Sequence, residues 1–317
     1  MRLTLSIVAL SAFLLCGCSH AMAPAILSPS LDSVAPGKIK QASSPRNFDA
    51  TPLLYAALSN KHFVAVYSYP QGKLLMSVRA PRPNGLCSDT QGNVFVVDFL
   101  YTNVIEYAYG NSRQMKILRD GNPTFSCAVD PVTNSLAVTN YCDSASVSAS
   151  GCGYGHGSIS IFKGEKGPAK VVQLKNVTYA EYCTYDTKGN LFVDGSPNGH
   201  GFELAEIPDG RSEAVAVNLN FKPKNPGALQ WSNGQLAVGD QFQTVYRYTV
   251  SGNAAKKVGT TVLEGGNGVA GFWIDGTTLV GPNLGGTTVA LWKYPVGGRS
   301  FKTIRTVTGP FAVTISR

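Results

Sequence analysis

The sequence predicts an all-β chain: a six-bladed β-propeller of four-stranded antiparallel blades, closed where the C-terminal strand joins the N-terminal blade. Three observations carry that expectation. Nearly identical decapeptides, DTQGNVFVVD (89–98) and DTKGNLFVDG (186–195), lie 97 positions apart. Tyr67, Tyr107, Phe162, Ala205, Tyr248 and Trp292 occupy one place in a second recurring element, at spacings of 40, 55, 43, 43 and 44. A period of about 40–45 residues with four short strands per repeat marks propeller blades. The composition agrees: 34 Gly, 18 Pro, 14 Tyr and 14 Phe among 317 residues, with 15% charged. Such a mixture suits many short strands joined by tight turns.

The chain opens with MRLTLSIVALSAFLLCGC: an early Arg, then an apolar run over residues 5–15. That run is the length of an export signal and short for a permanent span. Its end, LCGC (15–18), resembles a bacterial lipobox. The resemblance implies cleavage before Cys18 and a lipid anchor on it; the alternative is an ordinary secretory signal with two incidental cysteines. With Ser19 rather than Asp after the cysteine, the resemblance implies the outer membrane in a double-membraned bacterium. Residues 19–50 are rich in Ala, Ser and Pro and show no period, the composition of a flexible tether.

From residue 51 the repeat takes over. Inner strands precede each Asn/Gly turn (GLCSD, SCAVD, YCTYD, ALQW, GFWID), and second strands follow it. A third strand alternates apolar with variable residues and ends in a Gly turn: FVAVYSYPQG, VIEYAYG, ISIFKG, FELAEIPDG, VYRYTVSG, VALWKYPVGG. Period-two alternation implies one buried face. Outer strands come next (KLLMSVRA, MKILRD, AKVVQLK, EAVAVNL, KKVGTTVLE, FKTIRTV). Only five inner strands serve six blades, and the first repeat, LLYAALSN, lacks one. The C-terminal PFAVTISR supplies it. Closure of this kind removes free sheet edges. The spacing of 55 is explained by the insertion at 141–157, not by a seventh blade. Over residues 51–317 the pattern resembles six-bladed propellers of the NHL and YncE-like kinds, and exported bacterial propeller lipoproteins of unassigned role. Such resemblance implies fold far more than activity.

The cysteines suggest disulfides, since an exported chain meets an oxidising compartment. Cys142 and Cys152 flank the insertion and are expected to staple it. Cys127 and Cys183 precede Asp130 and Asp186 by three residues on neighbouring inner strands, which makes a cross-blade bridge a candidate. Cys87 precedes Asp89 by two and is expected to face the other way and stay free. With no CxxC, no zinc site is expected.

Asp98, Asn140, Asp194, Asp240 and Asn283 end second strands and are expected to ring one face with His156 and His200. Such groups could hold a cation or a sugar, or merely close turns through their own backbone. His62 is the third turn histidine, and His20 lies in the tether. Glu181, before an inner strand, could enter the channel mouth. Tyr182, Trp231 and Trp273 could stack on a ligand or belong to the core. Sugar lactonases of this fold hold calcium on Glu, Asn and Asp, but their early Glu-Gly-Pro signature is missing here, and no GxSxG occurs.

The net charge of +8 is scattered, which argues against nucleic acid. The expected function is a lipid-anchored extracytoplasmic scaffold, monomeric and without a cofactor, that binds a protein, peptide or glycan. The rival is a divergent cation-dependent hydrolase or lactonase using calcium at the channel. Deleting residues 143–151 is expected to spare folding and abolish partner capture.

Overall fold

The computed structural model describes residues 51–99, 101–142 and 156–317, with the backbone of 147–148 and 151–152. The expected signal, its Cys18 and the expected tether lie outside the described residues. Six antiparallel four-stranded sheets form a propeller. The first blade runs outward as Val313–Ser316, Leu53–Leu58, Phe63–Ser68 and Leu74–Arg79. The second is Pro83–Ser88, Val94–Asp98, Asn103–Tyr107 and Gln114–Arg119. The third is Thr124–Val129, Leu136–Asn140, Ser158–Phe162 and Lys170–Gln173. The fourth is Tyr179–Tyr185, Leu191–Ser196, Glu203–Ile207 and Val215–Ala216. The fifth is Leu229–Ser232, Gln235–Gly239, Thr244–Ser251 and Ala254–Glu264, and the sixth Trp273–Asp275, Thr278–Asn283, Thr288–Lys293 and Lys302–Arg305. Leu53 pairs with Ser316 and Ala56 with Val313, so the chain's two ends complete one sheet as the repeat pattern requires.

The decapeptide is repeated because it is a turn. Asp89 Oδ1 accepts from the amides of Gln91 (2.9 Å) and Asn93 (2.7 Å), while Oδ2 accepts from Asn93 Nδ2 (2.7 Å). Asp186 does the same with Lys188 (2.8 Å), Asn190 (2.9 Å) and Asn190 Nδ2 (2.8 Å). Gly92 and Gly189 sit at φ 83° and 86°, where a side chain is strained. The divergent third copy keeps the acid: Asp130 accepts from the amide of Val132 (2.9 Å) and the hydroxyl of Thr133.

Side chains from neighbouring blades fill the wedges between them. Phe95, Val138 and Phe162 pack between the second and third blades, Leu54, Val289 and Ile315 between the sixth and first. Second strands are covered on both faces, so Leu53–Leu58 and Val94–Asp98 are buried throughout. Alternation survives in the outer strands, as in Ala254–Glu264. The second repeated element stitches blades together. Tyr107 Oη donates to the Arg79 carbonyl (2.8 Å), Tyr248 Oη to Phe221 (2.8 Å), Trp292 Nε1 to Glu264 (3.2 Å) and Tyr67 Oη to Arg305 (3.5 Å). Each reaches the backbone at the rim of the preceding blade. Phe162 and Ala205 hold the same place with no group to donate.

One edge departs from the sequence pattern. EAVAVNL is not a single outer strand: Val215–Ala216 pairs within the fourth blade, and Asn218–Leu219 then pairs in parallel with the fifth blade's outer strand. Gly298–Arg299 pairs in parallel with that strand's far end. The longest outer strand is thereby covered at both ends, which shields its edge.

Candidate functional site

Cysteine pairing corrects the sequence expectation. Cys127 is bonded to Cys87, and Cys183 is free and buried. Blades stack around an axis, so a side chain on one face of a blade meets the opposite face of the next. Cys127 and Cys183 share a face and point the same way round the ring. Cys127 Sγ lies 3.9 Å from the Phe95 carbonyl in the second blade, and Cys183 Sγ 4.0 Å from the Ala137 carbonyl in the third. They cannot meet. Cys87 does face the other way, and for that reason it finds Cys127. Cys142 is disulfide-bonded. The expected Cys142–Cys152 pairing and the loop 143–151 fall outside the described side chains.

The acids and amides do not converge on a ligand. Asp98, Asn140, Asp240 and Asn283 hold equivalent places, but each serves nearby chain. Asp98 Oδ1 accepts from the Tyr101 amide (3.3 Å). Asn140 Nδ2 donates to Ser158 Oγ (3.0 Å) and Ser160 Oγ (2.9 Å). Asp240 Oδ1 accepts from the amides of Phe242 (2.9 Å), Gln243 (3.2 Å) and Thr244 (3.0 Å). Asn283 Oδ1 accepts from the Asn267 amide (3.0 Å). Among the described residues no three His, Cys, Asp or Glu side chains cluster as metal ligands would. His156 and His200 are exposed. His62 takes a left-handed backbone, φ 57°, and bonds the Pro81 carbonyl.

Asp194 belongs elsewhere. It sits one residue earlier along its strand than Asp98, in the place of Val97 and Thr139, and so projects from the other face. The inner strands of the third and fourth blades each carry a bulge, which frees an amide from the ladder. Thr139 Oγ1 accepts that amide from Ser126 (2.8 Å), and Asp194 Oδ1 accepts it from Tyr182 (3.0 Å). Asp194 Oδ2 takes the Gly227 amide (3.1 Å). Its burial, with Glu181 nearby, pushes the Asp194 carboxyl well above the usual range.

Glu181 lies inside its inner strand, Tyr179–Tyr185, rather than before it. Its backbone carbonyl accepts from Thr139 Oγ1 (2.8 Å), and Oε2 accepts from Gln241 Nε2 (2.6 Å). Burial pushes the Glu181 carboxyl up to about 8 against the lowering effect of Gln241. Around it lies an aromatic cluster of which the repeat pattern marks only Tyr182. Phe125 stacks on Tyr141 (5.5 Å between centroids), and Tyr141 stacks on Tyr179 (4.8 Å). Phe99 meets Tyr141 edge-on (6.5 Å) and carries the exposed Arg82 over its ring (5.5 Å). Phe125 also touches Tyr182 (5.4 Å) and Phe311 (5.7 Å). Tyr182 belongs to the fourth blade and Phe311 leads into the first blade's inner strand. Those blades face each other across a six-blade ring, so Phe125 bridges the axis and the three rings plug one end of the channel.

Behind the plug, a cavity of about 490 Å³ runs along the axis to the exposed Thr90, Pro131 and Arg317. Trp231 and Trp273 line it, with Thr184 and the Cys87–Cys127 bridge. Both tryptophans are half-buried, and Trp231 stacks on Phe192 (5.7 Å), so it packs in the wedge as a core residue would.

No family model and no curated protein matches the chain. Among solved structures, it is similar to a chain in the crystal structure of a nidogen/laminin complex, with a TM-score of 0.66. The likeness covers 84% of this chain and 98% of that one at 13% identity, and it is one of fold. The class defined by the blades and the comparison is the six-bladed β-propeller.

Proposed function

We propose that the chain is a lipid-anchored, extracytoplasmic binding scaffold that meets its protein, peptide or glycan through the face carrying Phe99, Phe125, Tyr141, Tyr179 and Phe311. The contiguous half-buried rings carry this reading. They come from five places in the chain, on or beside four blades, and meet where loops between blades emerge, with Arg82 at the margin. Aromatic residues and Arg are the types enriched in recognition surfaces. The lipid anchor and tether expected at residues 18–50 would hold that face away from a membrane.

Photo-crosslinking in the envelope tests the reading. A benzophenone amino acid at Tyr141 should yield a discrete crosslinked species, while one at exposed Gln91, on the opposite face, should not. Equal patterns from both positions would refute it.

A further inference from the structure

We propose that Glu181 is the anchor of a binding site for an organic ammonium group, of the kind carried by a lysine side chain or a free amine. The proposal rests on the reading of the aromatic face as the ligand-meeting one, and it names the chemistry that face takes. Three observations support it.

First, Glu181 is a buried acid with no cationic partner among the described residues. It is 8% exposed. Gln241 holds Oε2, and Oε1 has no hydrogen bond among the described residues. The other acid near it, Asp194, is saturated by two backbone amides. Among the described residues, ion pairs such as Lys116–Glu106, Lys222–Glu203, Arg299–Glu264 and Arg317–Asp275 engage other acids, and no described Lys or Arg is paired with Glu181 or Asp194. A buried carboxylate needs a cation or a proton.

Second, the Tyr182 hydroxyl is buried and has no hydrogen-bond partner among the described residues, and it lies close enough to feel both carboxylates. An orphaned oxygen beside an unneutralised acid suits a donor with several N–H bonds to give, and an ammonium has three.

Third, the surroundings are π-faces. Tyr141, from the third blade, sits near Glu181, and Phe125 packs on Tyr182 and Tyr141. Aromatic faces attract cations, most strongly where water is excluded. Among the described residues no three acid, His or Cys side chains gather there as metal ligands would, so the set is short for a divalent metal.

The groups facing Glu181 are Thr139 and Tyr141 from the third blade, Tyr182 and Asp194 from its own, and Gln241 from the fifth. None is cationic. The ammonium must therefore displace a proton from Glu181 below pH of about 8. Affinity should rise about tenfold per pH unit from 6 to 8 and then level off.

Isothermal titration calorimetry of the full chain in neutral detergent tests this, with butylammonium as probe and 1-butanol, tetramethylammonium and calcium as comparisons. Saturable butylammonium binding with that pH slope and release of one proton is expected, with none for 1-butanol. Tetramethylammonium binding of equal strength would show that the rings dominate over the N–H donors and overturn the anchor role of Glu181. Calcium binding without butylammonium binding would replace the ammonium site with a metal site. Glu181→Gln should abolish butylammonium binding and Tyr141→Ala weaken it; equal binding by Glu181→Gln overturns the proposal. Should that variant fail to fold, the pH slope of the unaltered chain still decides, and a flat slope refutes it. Failure of the ammonium site with a Tyr141 crosslink intact would leave the scaffold reading standing.

Discussion

Cys87 and Cys127 form a bond because they lie on opposite faces of neighbouring blades, their Cα atoms 5.7 Å apart. Ala128 occupies in the third blade the place Cys87 occupies in the second, and Cys183 occupies in the fourth the place of Cys127. Both are buried in the wedge between the third and fourth blades. Ala128→Cys should therefore bond Cys183 and create a second belt between blades. Titrating thiols in denaturant should find one fewer per chain than before the change. A chain that instead gains a thiol would contradict the face assignment.

The native bridge closes a loop of 40 residues. Chain-entropy reasoning gives about 4 kcal/mol for a loop of that length. Replacing both cysteines by Ala should lower unfolding stability by that order, with the wedge otherwise intact. Equilibrium denaturation measures it, and an unchanged midpoint would place the bridge's worth near zero.

Hydroxyl removal should separate the inter-blade stitches by their geometry. Tyr107→Phe and Tyr248→Phe should each cost about 1 kcal/mol, since both donate at 2.8 Å to a backbone carbonyl. Tyr67→Phe, whose contact is 3.5 Å, should cost less. Equal losses at all three would mean that ring packing, not the hydrogen bond, carries the contact.

Two glycines isolate strain from crowding. Gly92 and Gly121 have φ of 83° and 90°, equally hostile to a side chain. A Cβ on Gly92 would lie 2.3 Å from the Arg317 carbonyl oxygen, while one on Gly121 meets nothing within 4 Å. Gly121→Ala should cost about 1 kcal/mol. Gly92→Ala should cost several times more, because it also pushes the closing strand away. Thermal denaturation of the pair gives the difference directly.

Glu181, raised to about 8 in the folded chain, binds its proton more tightly there than when unfolded. A raised carboxyl stabilises the fold below its unfolded value, and that stability is lost as pH rises through the folded one. Asp120, raised to about 6 chiefly by burial, acts in the same sense over a narrower window. Melting temperature should fall from pH of about 4.5 to 8. Glu181→Gln should make the slope shallower up to pH of about 8 and Asp120→Asn make it shallower below about 6, while Asp194 and Glu165, raised in the same sense, keep a part of it. A slope the two changes leave intact would locate the titration elsewhere.

The blade pattern was legible because each strand position is written several times over, and the closing strand was visible as the inner strand that one repeat lacked. Pairwise geometry between blades was not. Alternation along a strand says which face Cys127 uses, but not that neighbouring blades meet through opposite faces. Asp194 looked equivalent to Asp98 because both decapeptides carry an acid near their end, yet one residue of offset reverses a side chain's direction in a strand. Phe99, Tyr141 and Gln241 each follow an Asp or Asn that closes a second strand, and Phe125 stands at an inner strand's start. The common signal is a position next to a strand end, and it is weak because the rings converge only after the ring of blades has closed.

The pairing of Leu53–Leu58 with Val313–Ser316 also fixes an order of events. The first blade has three strands as soon as residue 79 is made, and it waits for its fourth until residues 313–316 emerge. Until then one wedge has no inner wall, and Phe311 is not in place to complete the plug. The arrangement acts as a delay: the first sheet cannot close before Val313–Ser316 is in place.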